Sequence, residues 1–227
     1  MRAGVGKWAP KTGVMTLLML GALFASAGRL DWRHAWMFAA FLLAMQLILT
    51  ATLVPLRPDL LVERSEMKAG TPRWDKRLVV LVALVGPLCT WVAAGLDVRF
   101  GRSREFSWPV CAAALALAGA GYTLVLSAMA VNRFFSVTVR LQTERGHAVC
   151  DAGPYRVIRH PGYAGSAVFT LCTPLLLDSV TAFIPAVVTV LAILLRTALE
   201  DRFLVSALDG YRAYADRVRY RLAPGVW

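Results

Sequence analysis

Long stretches of this chain carry no charge. Its 227 residues hold only 14 acids against 25 Lys and Arg. Six runs, residues 12–28, 35–56, 78–96, 106–132, 161–177 and 179–195, contain no Asp, Glu, Lys or Arg at all. With 58% hydrophobic residues there is too little polar surface to cover a soluble core, so an ordinary soluble domain is excluded. The net charge of +11 does not point to nucleic acid, because the cations flank the apolar runs as membrane topology demands. Cysteine is scarce. Cys89, Cys111 and Cys172 lie inside apolar runs, and no pair that includes Cys150 has metal-ligand or redox spacing. Neither a disulfide framework nor a zinc site follows. Internal repeats and low-complexity tracts are also missing.

What is present reads as membrane. A helix needs about 20 apolar residues to cross the hydrocarbon core, within a range of about 17–25. The second, third and fourth runs meet this, and the other three sit at the short limit. The first run follows Arg2, Lys7 and Lys11 and ends in Ala25-Ser26-Ala27, a pattern shared with cleaved signal peptides; the topology closes if it is retained. With the N-terminus inside, segments 1–13, 57–77, 133–160 and 196–227 hold 20 of the 25 Lys and Arg, as the positive-inside rule requires. Both termini are then cytoplasmic. Trp32, Trp36 and Trp108 fall near outer helix ends, where aromatic belts belong. Asp178 separates the last two runs and marks a tight hairpin of two short arms. Gly86-Pro87 and Pro185 are expected to bend their helices. The expectation is an all-α, multi-pass membrane helix bundle of about six transmembrane segments. Its last two segments form the hairpin, and a cytoplasmic amphipathic tail follows. The chain divides into residues 1–105, with helices and a cytoplasmic connector, and residues 106–227. The mixed charges of connector 57–77 read as a solvated surface with no chemistry assigned.

The longest polar interruption in the second half is Gly146–Gly165, which holds two of the three histidines. Gly153-Pro154 makes one turn. Arg159-His160-Pro161-Gly162-Tyr163 makes a second that opens the next helix, with Pro at an early helical position. Taken singly, these residues read as a membrane-surface loop with snorkelling Arg and interfacial Tyr. Their density argues for more. Arg196 and Glu200, at i and i+4, share a helical face at the inner end of the last run, and Asp201 follows. Acidic residues there mark a polar site more often than a lipid face. Gly119-Ala120-Gly121 reads first as close helix packing, because small residues let another backbone approach. The tail interleaves Tyr211, Tyr214 and Tyr220 with arginines. It is expected to lie on the inner membrane face, where it could also cover the polar stretch from below.

In order, these pieces are Gly146-His147, Gly153-Pro154-Tyr155-Arg156, Arg159-His160-Pro161-Gly162-Tyr163-Ala164-Gly165, Arg196…Glu200, Tyr211…Tyr214, and Arg219-Tyr220-Arg221…Pro224-Gly225. The series resembles the isoprenylcysteine carboxyl methyltransferase family, whose bacterial members and related phospholipid N-methyltransferases share the pattern. The resemblance covers roughly residues 106–227. It implies an S-adenosylmethionine-dependent membrane methyltransferase with its cofactor pocket on the cytoplasmic side of a bacterial inner membrane. It further implies that Gln142, His147, Ala148, Val149, Cys150, Tyr155, His160, Pro161, Gly162 and Tyr163 line that pocket. Glu200 would contact the cofactor, and Arg196 would be the catalytic residue facing a substrate carboxylate. Gly119 and Gly121 are similar to a cofactor-contacting Gly-x-Gly of the phospholipid enzymes. Glu200-Asp201 stands where those enzymes have two adjacent glutamates.

The residue types suit that chemistry. A carboxylate can bind the cofactor's ammonium or ribose, and aromatic faces attract its sulfonium. Methyl transfer to a carboxylate or thiolate is an in-line displacement that needs alignment and desolvation rather than a general base. Two rivals share the fold. Sterol-reductase-type membrane enzymes, which use NADPH, typically read Arg-His-Pro-Asn-Tyr followed by Gly-Glu, where this chain has Gly162 and Gly165-Ser166. A non-catalytic membrane protein would have no need of His160, Tyr163, Arg196 and Glu200. The partners implied are the bilayer and a lipophilic or small-molecule substrate, not nucleic acid.

Overall fold

The structure, a computed structural model, describes residues 2–63, 70–101 and 106–227, and within these bounds every regular element is helical. Helix α1 (Arg2–Ala27) is followed by α2 (Arg33–Leu56) and the short α3 (Pro58–Glu63). Helix α4 (Arg73–Val80) runs through a π-helical turn (Leu81–Val85) into α5 (Gly86–Phe100). Then come α6 (Trp108–Val131), α7 (Pro161–Leu176), α8 (Phe183–Ala207) and α9 (Tyr211–Arg217). Between α6 and α7 the chain makes two single 3₁₀ turns, Thr143–Arg145 and Gly153–Arg156.

Five helical spans are long and apolar enough to cross a membrane: residues 10–27, 33–56, 73–100, 108–131 and 183–207. The expected sixth is not among them. Helix α7 has 16 residues, roughly 24 Å at 1.5 Å per residue, short of a hydrocarbon core of roughly 30 Å. Pro161 fixes its start, and Asp178, held at φ 54° just beyond its end, turns the chain away. The second arm, expected to be short, is instead a 25-residue helix. It continues through Arg196, Glu200 and Asp201 because other elements supply partners for each of them. Pro185 does not bend α8: it stands in the first turn, where the missing N–H removes no helical bond. At Gly86-Pro87, where a bend was expected, the helix passes through a π turn, Leu81–Val85, just before the pair.

Small residues set the helix contacts. A Cβ on Gly121 would meet the Gly165 carbonyl oxygen, and one on Gly165 would meet that of Gly121, so α6 and α7 touch backbone to backbone. Gly95 in α5 lies equally close to Ser26 and Leu23 of α1. Around these contacts Leu23, Phe38, Trp91, Ala118 and Leu177 form the apolar core. Phe38 meets Trp91 edge to face at 5.2 Å.

The polar segments gather at one end of the bundle. Arg145 reaches Asp59 at 2.5 Å, Arg140 reaches Glu63 at 2.5 Å, and Arg57 donates to the Ala130 carbonyl at 3.0 Å. Connector 57–77 is therefore not simply a solvated surface, at least in its described parts: Asp75 is fully buried. At the opposite end, Ser179 donates to Asp97 at 2.5 Å, and the Phe106 N–H donates to Asp178 at 2.6 Å.

Candidate active site

The site is built around the start of α7. Arg159 and His160 are held by the tail, which accepts their N–H groups on the Tyr220 and Arg221 carbonyls, both at 2.9 Å. The Arg159 side chain does the rest. Its Nη1 donates to the Ala215, Val218 and Arg219 carbonyls, and its Nε and Nη2 take the two oxygens of Asp201 at 2.8 and 2.9 Å. Asp201 also accepts from Arg221 Nε at 2.8 Å and Tyr211 at 3.0 Å, and lies 3.2 Å from His160 Nε2. A buried carboxylate with this many donors is held firmly in its ionised, hydrogen-bonded form. Burial opposes the Arg159 charge, but the Asp201 bonds outweigh it and raise its pKa.

The tail lies against the polar stretch. Tyr214 donates to the Tyr155 carbonyl at 2.8 Å, and Tyr211 and Tyr214 are buried with Leu208 and Val218. Burial pushes the phenols of Tyr155, Tyr211 and Tyr214 far above their ordinary range, so all three stay neutral. Asn132, at the end of α6, donates to the Tyr155 hydroxyl at 3.1 Å.

Above this floor lies a cavity of about 470 Å³. Of the residues singled out from the sequence, His147, Ala148, Val149, Cys150, Tyr155, His160, Gly162, Tyr163, Arg196 and Glu200 all line it. Two do not. Gln142 is buried away from it, donating to the Phe134 carbonyl at 2.7 Å and accepting from Arg145 at 2.6 Å. Pro161 is the buried first residue of α7. Gly121 is spent on packing against Gly165, and nothing lies within 4 Å of where a Gly119 Cβ would sit.

At the polar end of the cavity Tyr163 donates to Glu200 Oε2 at 2.5 Å, and Oε1 has no partner among the described residues. The Arg196 guanidinium lies 5.2 Å from the Tyr163 ring centre. It does not pair with Glu200, as helical spacing allowed. Its Nε donates to Asp75 at 2.7 Å, and its Nη2 to the Val137 carbonyl at 2.6 Å. His147 accepts the Gln142 N–H on Nδ1 at 3.2 Å, which leaves Nε2 as the protonated nitrogen. Burial first, then Arg140 and Arg145, push its pKa down, so it stays neutral near pH 7. Burial likewise raises the Cys150 thiol. The other end of the cavity is apolar, walled by Leu42 of α2, Val82 and Ala83 of the π turn, Pro87 of α5, Val125 of α6 and Phe169 of α7. Among the described residues no cluster of His, Cys, Asp and Glu has the arrangement of a metal site.

Residues 110–209 match the model of a family described as phospholipid methyltransferase. The matched segment runs from α6 through α8 and holds both the polar stretch and the Arg196–Asp201 helix end. Over this segment, a little under half of its length, the chain is similar to these membrane methyltransferases. That is broader than the isoprenylcysteine carboxyl methyltransferases which the motifs resemble. No curated protein matches the chain. The geometry adds Asp75, which sequence reasoning missed, and gives partners to Arg159 and Arg221, which the motifs held without a role. Asp75 read as a surface charge of the connector, yet it is bonded to Arg196 in the cavity wall. Asp75 and Arg221 also lie outside the matched segment. Only the burial of a charge signals such residues, and burial is not visible in composition or period.

Proposed function

We propose that this protein transfers a methyl group from S-adenosylmethionine to a small lipophilic acceptor drawn from the bilayer. One observation carries the reading: a single cavity joins a polar end, with Glu200, Tyr163, His147 and His160, to an apolar end walled by helices that run in the membrane. A water-soluble cofactor and a lipid-soluble acceptor would meet where these ends join, beside Arg196. The sulfonium supplies an activated methyl; the chain's own groups bind, align and exclude water.

The residues present fit the cofactor. Glu200 Oε1 is free to take its ammonium or ribose hydroxyls. The His160 and Tyr163 rings, stacked at 5.8 Å, offer aromatic faces to a sulfonium. The neutral His147 offers an N–H to its carboxylate or adenine. In this reading Ala148, Val149, Cys150, Tyr155 and Gly162 shape the pocket, while Gln142 and Pro161 support its walls. The cavity extends beyond residues 106–227, because Val79, Leu42 and Pro87 of the N-terminal part line it too. The basic end of the bundle faces the cytoplasm of a bacterial inner membrane, on the side where the cofactor is available. The finer resemblance to isoprenylcysteine carboxyl methyltransferases rests on Arg159-His160-Pro161-Gly162-Tyr163-Ala164-Gly165 and on Arg196 in the cavity wall.

The test is a titration of purified protein with S-adenosylmethionine, its demethylated product and NADPH. Saturable binding of the first two, abolished by Glu200→Ala and spared by Arg196→Ala, is expected. Binding of NADPH alone would overturn the reading in favour of a reductase. Equal cofactor binding by wild type and Glu200→Ala would show that the pocket lies elsewhere.

A further inference from the structure

Asp75 is fully buried and bonded to a group in the cavity wall. It comes from α4, outside the segment that matches the methyltransferase family. Its two oxygens serve different elements: Oδ1 accepts from Arg196 Nε at 2.7 Å, and Oδ2 from the Val139 N–H at 2.6 Å. The Val139 bond fixes the carboxylate, and the carboxylate in turn fixes the guanidinium. The Val137 carbonyl takes Nη2 at 2.6 Å, so the side of the guanidinium carrying Nε and Nη2 is filled from within the protein. Nη1 alone has no partner among the described residues, and Arg196 lines the cavity.

The consequence is electrostatic as well as geometric. Arg196 and Asp75 are both buried, 6% and 0% exposed, where opposite charges are screened little by water. The two other arginines of the cavity lining are also committed to acids, Arg140 to Glu63 and Glu144 and Arg159 to Asp201. A free guanidinium would seize a lipid carboxylate through a two-pronged, charge-assisted contact. This one is already committed to a carboxylate of its own.

Resting on the methyltransferase reading for its functional meaning, we propose that Asp75 is a positioning and specificity-determining residue. It aims Arg196 and cancels its charge, so that the acceptor end of the cavity favours a methyl acceptor uncharged at Arg196, held there through a single oxygen, over a carboxylate.

The experiment uses the full chain in lipid nanodiscs, with octanol and octanoate as probes, each corrected for partition into protein-free discs. Wild type is expected to bind octanol at least as tightly as octanoate. Asp75→Asn, which uncovers the Arg196 charge, is expected to raise the octanoate-to-octanol affinity ratio by ~10-fold or more. In Asp75→Asn/Arg196→Met, which removes both charges and leaves neither ion unpaired, the ratio should return to the wild-type value. A wild-type preference for octanoate of ~10-fold or more overturns the proposal without any variant, which guards against misfolding of Asp75→Asn. An unchanged ratio in Asp75→Asn, or a gain that persists in the double variant, also overturns it. Titrating the same samples with S-adenosylmethionine separates the two readings. Loss of cofactor binding in wild type removes the methyltransferase, whereas wrong probe ratios with the cofactor bound remove only the role of Asp75.

Discussion

Asp201 takes the Arg159 guanidinium in a two-pronged grip, Oδ1 to Nε at 2.8 Å and Oδ2 to Nη2 at 2.9 Å, with both side chains buried. The pair joins α8 to the start of α7. Through Arg221 and three tail carbonyls it also fastens the last residues of the chain to the site. Removing the carboxylate would leave a buried arginine with no counter-charge. Asp201→Ala is therefore expected to cost about 3–5 kcal/mol of stability. Thermal unfolding in detergent measures that loss, and faster trypsin cleavage after Arg219 and Arg221 would report the released tail.

The contact between Gly121 and Gly165 leaves no room for a methyl group on either side. Gly165→Ala should push α6 and α7 apart and cost about 1–3 kcal/mol. Gly119→Ala, in the same helix but with nothing within 4 Å of the new Cβ, should be neutral or stabilising, since Ala is favoured over Gly in a helix by about 1 kcal/mol. Comparing the two melting temperatures tests the assignment of Gly121, rather than Gly119, to packing.

Tyr163 binds Glu200 through its hydroxyl and contacts His160 and Arg196 through its ring. Tyr163→Phe removes only the first. A hydrogen bond to a charged group contributes about 1.5–3 kcal/mol. The variant should stay folded and bind S-adenosylmethionine ~10-fold more weakly, as read by calorimetry. Unchanged affinity would mean that Glu200 needs no help to face the cofactor.

His147 supplies a pH dependence. Its folded-state pKa lies below the unfolded value of about 6.5, because burial and the nearby Arg140 and Arg145 disfavour the imidazolium. As pH falls, the unfolded chain takes up this proton first. The stabilisation is complete above about pH 6.5 and is lost as pH drops through the folded value. Protonation would also end acceptance of the Gln142 N–H at Nδ1. Melting temperatures followed from pH 8 down to pH 5 should fall more steeply in wild type than in His147→Gln.

The sequence alone determined the membrane class. Uncharged runs of 17–27 residues cannot be covered by water, and arginines between them mark the ends. It also located the polar stretch from His147 to Tyr163 and its partner face at Arg196 and Glu200, because polar residues interrupting apolar runs stand out, and i, i+4 spacing fixes a shared helical face. The polar end of the cavity was legible in that way. Only tertiary structure decided the rest. Whether α7 spans the bilayer depended on where the chain turned at Pro161 and Asp178. Whether Arg196 paired with Glu200 depended on Asp75, 121 residues away, and Asp201 became the tail's anchor through Arg159 and Arg221. A charge on a membrane helix must find a counter-charge, and the demand can be read in the sequence. Which of several distant acids answers it is settled by packing, and packing is long-range.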